Sequence, residues 1–530
     1  MKNISGLFLV GCSAIALAGC GPSDIASPGT GGDVIINNPA PSPGPSPTPG
    51  TGGNVTAAAG CPTIADAQGL SDQGTITGPT GTWRVCRLPA LVRTSITLPK
   101  VAGLLYEMNG RVNVGCDGGF AAPSAAAAYT STTVGCTTPL TADNNVTLTI
   151  APGAILFGAT GQSWLAVNRG NKINAVGTET QPIIFTSRDN VLGLSTDSSQ
   201  GQWGGVVLLG RGITTDCAVG SVAANTCERN TEGAADLARF GGADNTYNAG
   251  RMSYVQIRYS GFVLGSNSEL QALTTGAIGT ETVLDHIQAH NSSDDGAEFF
   301  GGAINLKYYV ATGADDDSLD VDNAAQANVQ YALILQRAGR GDSFLEIDSN
   351  GGDIGAGIPR TKLTLANFTA VQSGLSADNA GNQAAMLFRG NADVSLINGV
   401  VVTPQNECIR LNGETATPVT LTASSVALQC ASAKYISTGA GVDAAAAFAA
   451  GSKNNRDDFT PTLASIFING ANETGVAATD PKTSNAFFDT TAWIGAVRNA
   501  QDTWYAGWTC NSGTANFGSS SGACDSLPTT

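Results

Sequence analysis

Acidic residues recur at nearly constant spacing in the middle of the chain, and they are the side chains best suited to chemistry. Three segments carry them: Asp-Asp-Gly-Ala-Glu at 294–298, Asp-Asp-Ser-Leu-Asp at 316–320 and Gly-Asp-Ser-Phe-Leu-Glu at 341–346. Counted from Asp295, the matching aspartates are Asp317 and Asp342, at spacings of 22 and 25 residues. Two carboxylates held close together can act as acid and base, or as hard oxygen ligands for Ca²⁺. The spacing therefore predicts a ladder of carboxylates, if the chain stacks with that period.

Short apolar segments upstream recur in a way that predicts such stacking. Between residues 146 and 209 four strand-like pieces have their centres at Leu148, Ala166, Ile184 and Val207, at intervals of 18, 18 and 23 residues. Each piece is too short for a helix and is bounded by Gly, Pro or Asn. Repeats of about 20 residues are typical of solenoids, whose coils must stack to bury their apolar faces. We therefore predict an all-β fold, a right-handed parallel β-helix with an N-terminal cap and an aromatic-rich C-terminal closing region.

The chain divides into five predicted parts. They are a lipoprotein signal peptide (1–19), a lipidated Pro/Gly/Ser-rich tether (20–54), an N-terminal cap with the first coil (55–140), the β-helix (141–430), and C-terminal coils with a cap (431–530). An insertion at 211–249 interrupts the coils, and the Ala-rich stretch 444–450 is a candidate helix.

The N-terminus predicts export and lipidation. A short basic start precedes an apolar run at 4–17, and Leu-Ala-Gly-Cys ends at Cys20. This ending resembles the bacterial lipobox, in which the cysteine is acylated, whereas the alternative is an ordinary secretory signal. We expect a lipid anchor at Cys20 and a location at the bacterial outer membrane or cell surface.

The remaining ten cysteines suit an oxidising compartment. Cys12 is lost with the signal and Cys20 carries lipid, and we expect the others to pair locally, although spacing alone does not fix connectivity. The expected pairs are Cys61 with Cys86, Cys116 with Cys136, Cys217 with Cys227, Cys408 with Cys430, and Cys510 with Cys524.

The net charge and the small number of histidines argue against nucleic-acid binding and against a zinc site. The net charge is −16 and no basic stripe is visible, which argues against nucleic acid as a partner. No Cys/His cluster suggests zinc, and His286 and His290 lack a third ligand in the sequence. Tyr308, Tyr309, Tyr331 and Trp164 suit sugar stacking but are more typical of a core or a ladder between coils.

Three sets of segments together resemble a family of bacterial surface lipoproteins with a right-handed β-helix body, related to a spirochaete outer-membrane lipoprotein. The segments are 240–245 with 251–258; 294–302 with 305–308 and 313–317; and 492–497 with 504–509. The resemblance spans about residues 104–509 and implies a β-helix at the cell surface. It implies no reaction and no catalytic residues.

Three interpretations of the acidic ladder remain open. Aspartates at stacked turns can accept backbone N–H hydrogen bonds. The ladder can also hold a structural Ca²⁺, and the candidate ligands are Asp294, Asp295, Asp316, Asp317 and Asp342. Catalysis is the third interpretation, but the Gly-His-Gly and Arg-Ile-Lys pieces found with polygalacturonase carboxylates are missing. An open groove beside Lys307 or Arg258 would favour an enzyme.

We expect a non-enzymatic surface lipoprotein that is structural, adhesive or binding, anchored in the outer membrane by its lipid. Its β-helix would present an acidic face to another envelope protein or a glycan. The alternative is a carbohydrate-active enzyme, a polysaccharide lyase or glycoside hydrolase, that uses the stacked carboxylates. We expect no cofactor beyond a structural Ca²⁺.

Replacing Cys20 by Ser should release the protein from the membrane, because stable anchoring requires more than one acyl chain and these are attached at this cysteine. The measurement is membrane fractionation with labelled palmitate. Cys12→Ser is the matched control and should change neither fractionation nor labelling. Membrane retention of the Cys20→Ser protein would contradict lipid anchoring at this residue.

Overall fold

The computed structural model describes residues 54–529 except 233, 235, 266–267, 350–356, 378–384, 414–416 and 451–452. The predicted leader, Cys20 and the tether up to residue 53 lie outside the described residues. Within the described part, no helix is both long and apolar enough to cross a bilayer.

Two long sheets of mainly parallel strands form the body. The larger sheet has 16 strands: β1 (Ser71–Gly78), β2 (Gly81–Arg87), β4 (Ile96–Leu98), β5 (Leu104–Met108), β7 (Thr147–Ile150), β8 (Ile155–Gly158), β10 (Lys172–Val176), β11 (Ile183–Ser187), β15 (Gly250–Arg258), β19 (Val283–His290), β21 (Ala303–Thr312), β23 (Gln326–Leu335), β25 (Thr361–Val371), β27 (Ala392–Thr403), β29 (Thr420–Ser424) and β30 (Ala427–Cys430). The smaller sheet has 11 strands: β3 (Leu91–Val92), β6 (Arg111–Val114), β9 (Trp164–Val167), β12 (Val206–Leu209), β18 (Leu273–Gly276), β20 (Ala297–Phe300), β22 (Asp320–Asp322), β24 (Leu345–Ile347), β26 (Met386–Phe388), β28 (Ile409–Gly413) and β31 (Tyr435–Gly439). Only the β1–β2 pair is antiparallel within these two sheets. The predicted parallel β-helix is confirmed.

Three small strand pairs and three short helices complete the described elements. The pairs are β13 (Arg229–Asn230) with β14 (Arg239–Phe240), β16 (Val263–Gly265) with β17 (Ser268–Glu269), and β32 (Cys510–Asn511) with β33 (Gly522–Ala523). The helices are α1 (Arg188–Leu192), α2 (Ala444–Ala450) and α3 (Ala471–Thr474), and a 3₁₀ turn spans Pro481–Thr483. Helix α2 lies where the Ala-rich stretch predicted it. Its Ala444 and Phe448 pack into the central apolar core.

The 18-residue interval in the sequence is not the coil period. Leu148 and Ile184 lie in the larger sheet, whereas Ala166 and Val207 pair with each other in the smaller sheet, 41 residues apart. The short interval therefore measures the step from one sheet to the other. A period-18 pattern arises because each coil contributes a strand to both sheets.

A column of residues with positive φ bends the long strands of the larger sheet. It comprises Tyr254, His286, Tyr308, Tyr331, Asn367, Asn398 and Ser425, with φ between 51° and 62°. Non-glycine residues rarely adopt this conformation, so contacts between neighbours must offset its cost. The rings of Tyr254, His286, Tyr308 and Tyr331 stack at successive centroid distances of 4.1, 4.3 and 4.8 Å. Because the coils stack in register, the residue with positive φ in each coil lies next to its counterpart in the following coil, and the rings form a ladder.

The C-terminal segment runs back along the body instead of closing its far end as predicted. The side chain of Asn398 donates to the carbonyl of Thr479, Gln288 to that of Cys510, and Arg258 to that of Cys524. As the segment advances, its partners therefore move towards the N-terminal coils. Leu527 finally packs with Ile76 and Trp83. The far end is instead packed by helix α2, which contacts β28, β29 and β31.

All five predicted disulfides are present. They are Cys61–Cys86, Cys116–Cys136, Cys217–Cys227, Cys408–Cys430 and Cys510–Cys524. Each closes a local loop of 10 to 25 residues. The third lies within the insertion, and the fifth lies within the returning segment.

Gln288→Ala should lower the free energy of unfolding by about 1–3 kcal/mol, because it leaves buried backbone groups without partners. Gln288 is fully buried, accepts from the N–H of Cys510 at 2.7 Å and donates to its carbonyl at 3.2 Å. Urea unfolding measures the loss, and exposed Gln73→Ala is the control, expected to stay within about 0.5 kcal/mol. Equal stability of the two variants would show that this docking contact contributes nothing.

Candidate functional site: a buried acidic cluster

The acidic side chains lie on the outer side of three neighbouring strands in the smaller sheet. Glu298 of β20 is in register with Asp320 of β22, which is in register with Glu346 of β24. Side chains alternate along a strand, and the residues on either side, such as Phe299 and Val321, point into the apolar core. A stacking step of about 4.8 Å between strands therefore places these three carboxylates in one row.

Further carboxylates lie at both ends of the same strands. Asp294 and Asp295 precede β20, Asp316 and Asp317 precede β22, and Asp342 precedes β24. Asp322 ends β22. The buried acids of this cluster, none exposed by more than 9%, are Asp294, Asp295, Glu298, Asp316, Asp317, Asp320, Asp322, Asp342, Glu346 and Asp348. We call these ten residues the acidic cluster.

Burial of the acidic cluster overturns the expected exposed acidic face. The carboxylates project from the outside of the sheet, yet they are covered, and the insertion contributes to this neighbourhood. Arg229 lies over the ring of Phe300 at 5.7 Å and hydrogen-bonds to the side chain of Asn323, next to the end of β22. Phe240 of the insertion packs against Phe300 with ring centroids 5.9 Å apart. The insertion thus lies against the acidic coils.

Two of the predicted ligands serve the backbone of the next coil. A carboxylate oxygen of Asp295 accepts from the N–H of Asp317 at 2.9 Å, and Asp317 accepts in the same way from Ser343 at 2.8 Å. These two aspartates therefore act as acceptors for backbone N–H groups, which was the first of the three interpretations of the acidic ladder. Their hydrogen bonds join successive coils rather than closing a turn within one coil. Asp342 aligns with Asp316, whose carbonyl accepts its N–H at 3.0 Å, and not with Asp317. The spacing of 25 residues had suggested the wrong partner.

Cations neutralise the edges of the acidic cluster but not its centre. Arg389 pairs with Glu346 at 2.5 Å and with Asp348 at 3.1 Å. Arg229 pairs with Asp216 at 3.0 Å, and its charge lowers the pKa of Asp322 against the larger effect of burial. Among the described residues, no Lys or Arg forms an ion pair with any of five central acids: Asp294, Asp295, Glu298, Asp316 and Asp320.

Burial and mutual repulsion raise the pKa values of the carboxyl groups at the centre of the acidic cluster. Burial raises the pKa of Asp294 and of Asp322 to about 6. Burial, reinforced by neighbouring carboxylates, raises the pKa well above the usual range for Asp295, Glu298, Asp316, Asp317 and Asp320. Two acids outside these strands, Glu232 and Glu269, have pKa values raised to about 8 by burial, and the charge of Asp294 makes the second-largest contribution. Each carboxyl group whose pKa is raised therefore favours a proton or a cation in the folded chain.

Two groups of three acids have the spacing of a metal site. Asp295, Glu298 and Asp320 each offer an oxygen within 4.8 Å of the others, and so do Asp294, Asp295 and Asp316. Three of these residues were predicted as ligands from the sequence, whereas Glu298 and Asp320 were not. The signal for them was the alternation in Ala-Glu-Phe-Phe and Ser-Leu-Asp-Val-Asp, in which the acids alternate with the apolar residues that point into the core.

Lys307 and Arg258, the basic residues that would mark an open catalytic groove, contact the C-terminal segment and not the acidic cluster. Lys307 pairs with Asp489 at 2.7 Å, and Arg258 donates to backbone carbonyls of the C-terminal segment. One cavity of about 280 Å³ lies beside Trp83 and Tyr106, and another of about 470 Å³ lies beside Tyr505. No Asp or Glu lines either cavity.

The histidines and aromatic residues have structural positions. His286 lies between Tyr254 and Tyr308 in the ring ladder and contacts Asp285 at 2.8 Å. His290 is fully buried against Thr312, and burial lowers its pKa to about 3, so it stays neutral. Tyr309 and Trp164 are buried, and Tyr308 and Tyr331 belong to the ladder.

In a chelator, the stability of the protein should fall as the pH rises from 5 to 8. The raised pKa values mean that the folded chain binds more protons than the unfolded chain in this range, so the free energy of unfolding decreases by about 1.4 kcal/mol per pH unit for each extra proton. Urea unfolding in EDTA at three pH values measures the slope. A stability that rises over this range would contradict the raised pKa values of Asp294 and Glu298.

One comparison with known proteins identifies the family. The chain matches the family model described as "Pectate-lyase like beta helix domain" over residues 126–509, which is more than half of its 530 residues. No curated protein and no solved structure gives a significant match. The parallel coils described above are what this family model implies. The chain belongs to the family of pectate-lyase-like β-helix domains.

Proposed function

We propose that the protein is a non-enzymatic surface lipoprotein whose β-helix is a rigid structural and binding module of the bacterial envelope. The observation that carries this proposal is the burial of the acidic cluster. A polysaccharide chain must reach the catalytic carboxylates along an open surface, whereas Glu298 and Asp320 are at most 2% exposed. In addition, one carboxylate oxygen of Asp295 and one of Asp317 each accept a hydrogen bond from a backbone N–H group of the next coil.

The location follows from the N-terminal sequence. The lipobox-like end at Cys20 supports an acyl anchor, and the Pro/Gly/Ser-rich tether would hold the body away from the lipid. The resemblance to surface lipoproteins, carried by segments such as 294–302 and 504–509, supports the same location.

The larger sheet offers a surface for a partner in place of the acidic face. Thr97, Thr149, Asn174 and Arg251 are successive in-register residues on its outer side. Thr97, Asn174 and Arg251 are exposed, and Thr149 is half-buried. A row of hydroxyl, amide and guanidinium groups can hydrogen-bond to an envelope glycan or to the backbone of an envelope protein.

A carbohydrate-active enzyme is the second candidate, because the family model is pectate-lyase-like. A lyase or hydrolase acting through the stacked carboxylates would require the cover over the acidic cluster to move. The family alone does not assign a reaction, since one fold carries many functions.

The two candidates predict different results with acidic polysaccharides. We expect no turnover of polygalacturonate or alginate by the purified protein, with or without added Ca²⁺, and measurable retention of the protein on isolated envelope material. Product formation is followed by absorbance of unsaturated ends and by reducing ends. The double variant Asn174→Ala and Arg251→Ala should weaken retention, and Gln73→Ala is its exposed control.

Turnover that Asp317→Ala abolishes would reject the binding-only function, provided that the variant retains the wild-type circular dichroism spectrum. Retention that is unchanged in the double variant would reject the proposed surface on the larger sheet.

A further inference from the structure

We propose that Asp295, Glu298 and Asp320 bind a Ca²⁺ ion in a closed site between coils, beneath the covering loops. One carboxylate oxygen from each residue lies within 4.8 Å of the others, which is the separation expected of oxygens around an ion at 2.3–2.6 Å. The three side chains are 2%, 0% and 2% exposed. The site thus differs from a substrate-bridging ion, which must lie in an open groove.

Unpartnered carboxylate oxygens provide an independent indication that this group binds a cation. Both carboxylate oxygens of fully buried Glu298 have no hydrogen-bond partner, and neither does Oδ1 of Asp320. A buried carboxylate without a partner is strongly unfavourable, so native proteins pair it, protonate it or bind it to a metal. Glu298 has neither an arginine nor a backbone N–H available among the described residues.

The chain shows elsewhere how it neutralises buried acids with arginine. Fully buried Arg169 pairs with Asp117 at 2.6 Å and with Glu228 of the insertion at 2.7 Å. Around Glu298, by contrast, the strongest charges that act on it are negative and come from neighbouring strands and the insertion: Asp320, Glu232, Asp294 and Asp322. The internal residues that the structure leaves undescribed contain no Lys or Arg. In the part of the chain that the structure describes, no Lys or Arg forms an ion pair with Asp295, Glu298 or Asp320.

The donor set selects the type of metal. All three candidate ligands are carboxylates, and neither group with metal-site spacing contains Cys or His. Hard oxygen donors favour Ca²⁺ over zinc or copper, and the loose geometry of stacked strands suits Ca²⁺ better than Mg²⁺. Asp295 belongs to both groups, so a second ion at Asp294 and Asp316 would share it as a bridging ligand.

Such an ion would connect two coils and relieve the repulsion beneath the insertion. Glu298 lies on β20 and Asp320 on β22, the next strand of the sheet. Binding to the folded chain alone stabilises it by mass action. The inference does not depend on the proposed function, because its readouts are metal binding and stability rather than turnover or retention.

The test uses the full purified chain, dialysed against EGTA and then titrated with CaCl₂. Saturating Ca²⁺ should raise the Tm by about 5 °C. Terbium should bind with a stoichiometry of at least one per chain, and its emission can be excited through buried Tyr309, whose hydroxyl donates to the carbonyl of Ser318 at 2.7 Å. Excess Ca²⁺ should displace the terbium.

Glu298→Gln should abolish the Ca²⁺-dependent shift in Tm and reduce terbium emission at least tenfold. In EGTA its Tm should equal or exceed that of the wild type, because the variant removes an uncompensated buried charge; a merely structural role would lower it. Glu281→Gln, at an exposed carboxylate on a turn, is the control and should keep the full shift. Asp320→Asn provides a second variant if Glu298→Gln fails to fold.

Two results would overturn the proposal. One is a wild-type Tm that is the same in Ca²⁺ and EGTA, with no terbium bound, which would leave protons to neutralise the acidic cluster. The other is an unchanged Ca²⁺ shift in both Glu298→Gln and Asp320→Asn, which would place the ion at other residues.

Discussion

Every coil of this protein has to hydrogen-bond to the coils on either side, and this requirement governs the remaining structure. A single coil exposes its backbone groups and cannot bury its apolar face, so stability comes from stacking neighbours in parallel. Parallel pairing in register brings equivalent residues of successive coils into columns. The apolar columns form one continuous core from Ile64 to Phe448. The columns on the outer side of the sheets do not share one environment. Their interactions depend on which residue types the sequence places in each column.

Within a column, the same kind of side-chain contact is repeated from one coil to the next, whether it is attractive or repulsive. In the larger sheet, the column at positive φ gathers Tyr254, His286, Tyr308 and Tyr331 into a stack that offsets the strained backbone. In the smaller sheet, the same geometry gathers Glu298, Asp320 and Glu346, whose interaction is repulsive. Arg389 compensates at one end of this row, whereas Glu298 forms no ion pair with a described Lys or Arg and is influenced most strongly by neighbouring acids. The acidic cluster is therefore a place where stacking costs free energy unless a proton or a cation is bound.

Two segments outside the coils determine which surfaces remain accessible. The insertion covers part of the smaller sheet and is fixed to the body through the ion pairs of Arg169. The C-terminal segment covers the column at positive φ, where Asn367 donates to the carbonyl of Trp493 and Gln288 bonds to Cys510. The polar outer side of the larger sheet, around Thr97 and Asn174, stays exposed. The exposed side of this sheet thus carries polar side chains, whereas the acids of the smaller sheet are buried.

The sequence by itself determined the fold class and the position of the acidic coils, and the order of its cysteines predicted five local disulfides, because strand alternation, cysteine spacing and the repeat of aspartates are local properties. It did not determine the register: the apparent period of 18 residues mixed two sheets, and Asp342 was aligned with Asp317 instead of Asp316. Only the tertiary structure decided that the acids are buried, that Glu298 and Asp320 form a group with Asp295, and that the aromatic C-terminal segment returns along the body. These features depend on contacts between residues far apart in the chain, such as Arg258 with Cys524, and no local pattern encodes which segment will cover which face.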